Sequence, residues 1–211
     1  MNNKLDLFKS IAAFLAQQMQ DCEFVIHDLV DLEHSIVFIG NGHISGRQEG
    51  DSATDLVLRV LKDKEYLKSD YTSIYKSVSA DGKVFNSSTF FIKDDTQLLG
   101  LLCVNQDLTK YQELYDSVSS VLGLTSRPER ASTPVNERLV PAVDSLPINV
   151  IDEVLHRKVV NVNHLTKEER LDVVRELDRK GVFILKGAIS EVAKTLKVSD
   201  ATMYRYLQSI R

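Results

Sequence analysis

The stretch "VSDATMYRYLQSIR", residues 198–211, sets Ser199, Asp200, Ala201, Tyr204, Arg205 and Gln208 at intervals that fall on one side of a helix. Met203, Tyr206, Leu207 and Ile210 fall on the other side. Arg and Gln side chains make bidentate contacts to base edges, and a hydroxyl or amide at a helix N-terminus holds a phosphate. Ser199 is placed to cap the helix. The outer face therefore reads as a DNA-contacting surface, with a protein-interaction or dimerisation module as the alternative.

A second group of polar residues interrupts apolar runs nearer the N-terminus. His27 and Asp28 stand in "FVIHDLV", Ser87, Ser88 and Thr89 in "VFNSSTFF", and Asn105 and Asp107 follow "LLGLLCV". A buried polar group without a partner costs about 1–3 kcal/mol, so such residues are bonded internally, exposed at an edge, or used on a ligand. Strand alternation puts Asp28 on the face of Phe24 and Ile26 and His27 on the opposite one. With Arg47 from "HISGRQEGD" as a carboxylate partner, the group suits a small polar, amino-acid-like ligand. Arg47 would meet its carboxylate, Asp28 or Asp107 its ammonium, and Ser88, Thr89 and Asn105 would supply neutral hydrogen bonds.

Enzymatic chemistry is poorly served. His27, His34 and His43 show no helical i, i+4 pairing, and Cys22 and Cys103 have no CxxC partner, so no metal centre is expected. Cys103 sits in the apolar "GLLCV", where a thiol behaves as a small hydrophobe. There is no CxxCH and no glycine-rich phosphate loop, so no cofactor is expected.

The elements that must position these groups follow from periodicity. Leu7, Phe8, Ile11, Ala12, Leu15 and Met19 predict an amphipathic helix over 4–20. "EFVIHDLV", "HSIVFIG", "TSIYKSVS", "KVFNSSTFFIK" and "QLLGLLCVNQD" predict five strands, with a helix around Leu56, Val57, Val60 and Leu61 between the second and third. After the fifth, Thr109 and Gln112 have capping-box spacing, followed by Leu114, Val118 and Leu122. This order predicts an α+β fold: an antiparallel five-stranded sheet with flanking helices, as in PAS and GAF sensor modules. All four prolines lie in 125–149, which reads as a linker between a sensor domain, 1–124, and a small all-α domain, 150–211. There, Thr166 and Glu169 form a capping box, Leu171, Val174 and Leu177 line one face, and Gly181 ends the helix. Ile189, Val192, Ala193 and Leu196 form the next helix, and Lys197 stands where the turn of a helix-turn-helix commonly has Gly, predicting a slightly different turn.

Of the 211 residues, 43% are hydrophobic and 27% charged, the balance of a globular protein with a real core. Residues 1–149 carry 14 Lys and Arg against 21 Asp and Glu, a net −7, whereas 150–211 carry 12 against 9, a net +3. The basic C-terminal third keeps nucleic acid open as a partner. No stretch approaches the roughly 18 apolar residues of a membrane span, so a cytoplasmic location without membrane contact is expected. A lone helix-turn-helix has a small footprint, so a homodimer is expected, with the helices at 4–20 and 109–123 as candidate interfaces.

"EFVIHDLVDLEHSIVFIGNGHISGR", "YKSVSADGKVFNSSTFFI" and "LLCVNQDLT", together with the C-terminal "ISEVAKTLKVSDATMYRYL", resemble the YheO-like family of bacterial transcriptional regulators over nearly the whole chain. The resemblance implies a PAS-like N-terminal sensor and a C-terminal helix-turn-helix. It implies no particular ligand.

Overall fold

The computed structural model describes residues 3–123, 135–139 and 165–210. They fall into two compact units, one formed by Met1–Ser52 with Glu65–Val140 and the other by Ala53–Lys64 with Pro141–Arg211.

The first unit opens with α1 (Asn3–Gln18), followed by β1 (Cys22–Asp28), β2 (Ile36–Gly40), β3 (Tyr75–Ser79), β4 (Val84–Asp94), β5 (Gln97–Asp107), α3 (Thr109–Val121) and β6 (Val135–Leu139). The strands form one sheet in the order β2-β1-β5-β4-β3-β6. Every pairing is antiparallel except that of β6, which runs parallel to β3. The expected five-stranded antiparallel sheet is thus a six-stranded mixed one. The extra strand, "VNERL", lies inside the segment expected to be a linker, whose four prolines are outside the described residues.

One face of the sheet is covered by α1. Leu5, Ala12 and Ala16 are buried against Cys22, Phe24, Ile26 and Ile92, with Phe8 and Leu15 partly buried beside them. The helix comes very close to the strands because two of them carry glycine there. A Cβ on Gly40 would lie 2.5 Å from Ala16 Cβ, and one on Gly100 would lie 2.6 Å from Leu5 Cδ2. The expected apolar stripe is therefore rotated: Leu7, Ile11 and Met19 are exposed, and Leu5 and Ala16 take their place. The end of the helix is fastened by Asn41, whose Nδ2 lies 2.8–3.1 Å from the carbonyls of Ala16, Met19 and Cys22. α3 buries none of its residues. Thr109 is its first helical residue rather than its cap, and Asp107 Oδ1 accepts from the Thr109 amide and hydroxyl instead.

The second unit contains α2 (Asp55–Asp63), α4 (Lys167–Arg179), a 3-10 turn (Val182–Ile184), α5 (Ala188–Thr195) and α6 (Asp200–Ile210). α4 starts on the expected capping box, with Thr166 and Glu169 each bonding the other's backbone amide. It stops at Gly181, whose φ of 77° suits glycine and where a Cβ would approach Leu58 O of α2 to 3.0 Å. Lys62 of α2 donates to the Asp178 carbonyl and, at 2.8 Å, to its carboxylate. Val174, Leu177, Val182, Val192, Ala193, Leu196, Met203 and Leu207 make the core of this unit.

Candidate functional site

Two features of the sequence draw a row of polar side chains across the sheet. Alternation turns Glu23, Val25 and His27 to one face of β1, and Phe24 and Ile26 to the α1-covered face. Register then sets Glu23 opposite Asn105, Asn105 opposite Ser87, and Ser87 opposite Tyr75, so one level of four strands carries four polar residues. All four are buried, Glu23 and Asn105 completely.

Glu23 is the centre of this row. Its Oε1 accepts from Arg47 Nη2 and, at 2.8 Å, from Asn105 Nδ2, while its Oε2 accepts from the Ser45 hydroxyl. Arg47 Nε donates to Ser45 at 3.3 Å, and the Arg47 side chain is only 5% exposed. A buried ion pair is tolerable only when its remaining donors and acceptors are met by further bonds, which Ser45 and Asn105 provide here. Tyr75 hydroxyl lies 2.9 Å from Thr89 Oγ1 and also bonds the buried Glu137 of β6, and Thr89 Oγ1 lies 3.4 Å from Cys103 Sγ. Ser77 and Ser87 share a hydroxyl contact of 2.5 Å.

Burial dominates the titration of this face. It pushes the Cys103 thiol up to about 12, the Glu137 charge adding to the effect, so Cys103 is no thiolate nucleophile. It lowers His27 to about 3, with Arg47 adding to the shift, and leaves a neutral imidazole bonded through Nδ1 to the Ser35 hydroxyl at 2.9 Å. Tyr75 is raised well above its ordinary value by burial and then by Glu137. For Arg47 burial is again the largest influence, but the Glu23 and Glu137 charges outweigh it and hold the guanidinium above its usual value.

Of the residues expected to meet a ligand, Arg47, Thr89 and Asn105 come together on this face. Asp28, Ser88 and Asp107 do not join them. Asp28 accepts from the Val30 amide at 3.0 Å, Ser88 alternates away from Ser87 and Thr89, and Asp107 holds the start of α3. Glu23, Tyr75 and Glu137 were not among the expected residues. Glu23 was within reach of the alternation argument, since it lies four residues before His27 on the same face; Glu137 belongs to a strand the sequence does not announce.

In the second unit, Ser199, Asp200, Ala201, Tyr204, Arg205 and Gln208 are all exposed, and Met203, Tyr206 and Leu207 are buried. Helix α6 packs on both α4 and α5. The turn before it has the geometry that glycine usually supplies: Lys197 adopts φ 54°, the Val198 amide bonds Ala193 O at 2.9 Å, and the Lys197 amide bonds Lys194 O at 3.2 Å. The lysine changes the residue, not the turn. Ser199 Oγ accepts from the Thr202 amide at 3.3 Å, as a cap should, and Asp200 accepts from the Ser190 hydroxyl at 2.6 Å. Arg205 Nη2 rests 3.0 Å from Thr202 Oγ1.

A PAS-like sheet and a helix-turn-helix in one chain define the class. The sequence matches the YheO-like PAS domain over residues 1–123 and an HTH domain over 148–208, and the chain belongs to the YheO-like family. It is 29% identical over 191 residues to YheO of Escherichia coli strain K12, covering 90% of this chain and 77% of that one. It is 31% identical over 194 residues to a protein of Haemophilus influenzae, covering 91% and 84%. To the transcriptional regulator DauR of Pseudomonas aeruginosa it is 27% identical over 219 residues, covering 98% and 94%. The HTH domain and the likeness to the regulator DauR set the chain's family with transcriptional regulators rather than enzymes.

Proposed function

We propose that the chain is a DNA-binding transcription regulator whose PAS-like domain, within 1–124, senses a small polar, amino-acid-like molecule and whose domain at 150–211 reads an operator. The observation that carries the DNA reading is the outward face of α6. Its Tyr204, Arg205 and Gln208 point away from a helix fixed by α4, α5 and a closed turn. Arg205 and Gln208 reach base edges, Tyr204 packs beside them, and Ser199, Asp200 and Ala201 at the helix start seat the phosphate backbone. The buried row around Glu23 and Arg47 supports the sensing role, because a fixed polar network in a domain interior orients a ligand's hydrogen bonds.

The protein acts in the cytoplasm as a homodimer, matching two operator half-sites. No described helix is long and apolar enough to cross a membrane. The exposed Leu7, Ile11 and Phe14 on α1, with Leu114, Val118 and Val121 on α3, give the apolar area a dimer would cover. Selection of bound duplexes from a random pool by the full chain tests the reading: a shared motif supports it, and indiscriminate recovery through successive rounds overturns it.

A further inference from the structure

Asn105 is wholly buried, and the orientation of its amide is fixed by chemistry. Glu23 Oε1 already accepts from Arg47, so the Asn105 atom 2.8 Å from it must be the Nδ2 donor; reversing the amide would set two oxygens face to face. Oδ1 therefore points away from Glu23, and it has no hydrogen-bond partner among the described residues. The nearest polar neighbours in register have other engagements. Ser87, directly opposite on β4, contacts Ser77, and Arg47 is spent on Glu23 and Ser45.

On the reading that this domain senses a small molecule, we propose that Asn105 Oδ1 is the acceptor for a primary amino group of that molecule. A primary ammonium group brings three N–H donors and no lone pair. It satisfies Asn105 Oδ1 beside the Glu23 carboxylate without setting oxygen against oxygen. A hydroxyl has one donor and carries its own lone pairs into the same place. A carboxylate alone meets an acceptor, and the buried Arg47 guanidinium is already paired with Glu23. A site built around a buried acceptor rejects an analogue that lacks the matching donor.

The test uses the full chain in thermal-shift titrations against amino acids of both hands, each paired with the α-hydroxy acid that has oxygen in place of the amino nitrogen. The amino member of a binding pair should hold at least tenfold more tightly than its hydroxy partner. In Asn105→Leu, checked for folding by far-UV circular dichroism and for retained DNA binding, that advantage should fall to within about twofold. The comparison of paired compounds on the unmodified chain stands even if the variant does not fold. Equal binding of both members, or an undiminished preference in folded Asn105→Leu, would overturn the amino-group assignment while leaving the sensing role in place. No shift from any compound of either class would overturn the sensing role, and the assignment with it.

Discussion

The Glu23–Arg47 pair sets up a thermodynamic cycle with a definite signature. Glu23 is wholly buried and the Arg47 side chain nearly so. Glu23→Gln keeps the shape and an acceptor for Arg47 and Asn105 but leaves the guanidinium without its paired carboxylate, Glu137 being the remaining charge that favours it. Arg47→Met leaves a buried carboxylate in the same position. Each single change should cost the first unit about 3–5 kcal/mol, the penalty for stranding one buried charge. That is a large share of a domain stability of roughly 5–15 kcal/mol. The double variant strands neither charge, so its cost should be no greater than that of either single change, a coupling of several kcal/mol. Urea unfolding followed by far-UV circular dichroism provides the measurement, because the chain has no tryptophan. The two units can unfold separately, so hydrogen exchange at β1 and β5 assigns the transition. A double variant as unstable as the sum of the two single losses would refute the pairing.

Three other outcomes follow from the geometry. His27 is held near 3 when folded against 6.5 when free, so only the unfolded chain takes up a proton between those values. Stability conferred by the neutral imidazole is complete above 6.5 and is lost as pH falls; the first unit should be about 2 kcal/mol less stable at pH 5 than at pH 7.5, and His27→Gln should flatten that slope. Gly181→Ala should destabilise the second unit by about 2 kcal/mol, through positive φ and the 3.0 Å approach to Leu58 O, read as a lowered melting temperature. Arg205→Ala should weaken binding to a selected operator by about 1–3 kcal/mol in fluorescence anisotropy; an equal loss on random duplex would make Arg205 a phosphate contact instead.

Local features of the sequence were the most legible. The Thr166 capping box, the stop at Gly181 and the inner and outer faces of α6 depend on neighbours three or four residues apart, and each stands in the structure as expected. What escaped depends on distant parts of the chain. The face α1 buries is decided by Gly40 and Gly100, which admit Ala16 and Leu5 and leave Leu7 and Ile11 outside. Strand β6 exists through a parallel pairing with β3, some sixty positions back, and its five residues between prolines show no strand signal of their own. Arg47 read as an available cation because its counter-charge, Glu23, lies 24 residues earlier, on β1. Ligand residues chosen by type alone mixed both faces of the strands; register and burial separate Asn105 and Thr89 from Ser88 and Asp107.

The central claim, that this regulator binds DNA through the basic C-terminal domain, is tested most directly by the salt dependence of operator binding. Anisotropy titrations of the full chain on a selected operator, from 50 to 200 mM salt, should give a linear fall of log affinity with log salt. Each phosphate contact contributes a slope of about −0.9, and a random duplex should bind more weakly at every concentration. Failure to bind any duplex at 50 mM salt, or an affinity for the operator that does not change with salt, would contradict the account.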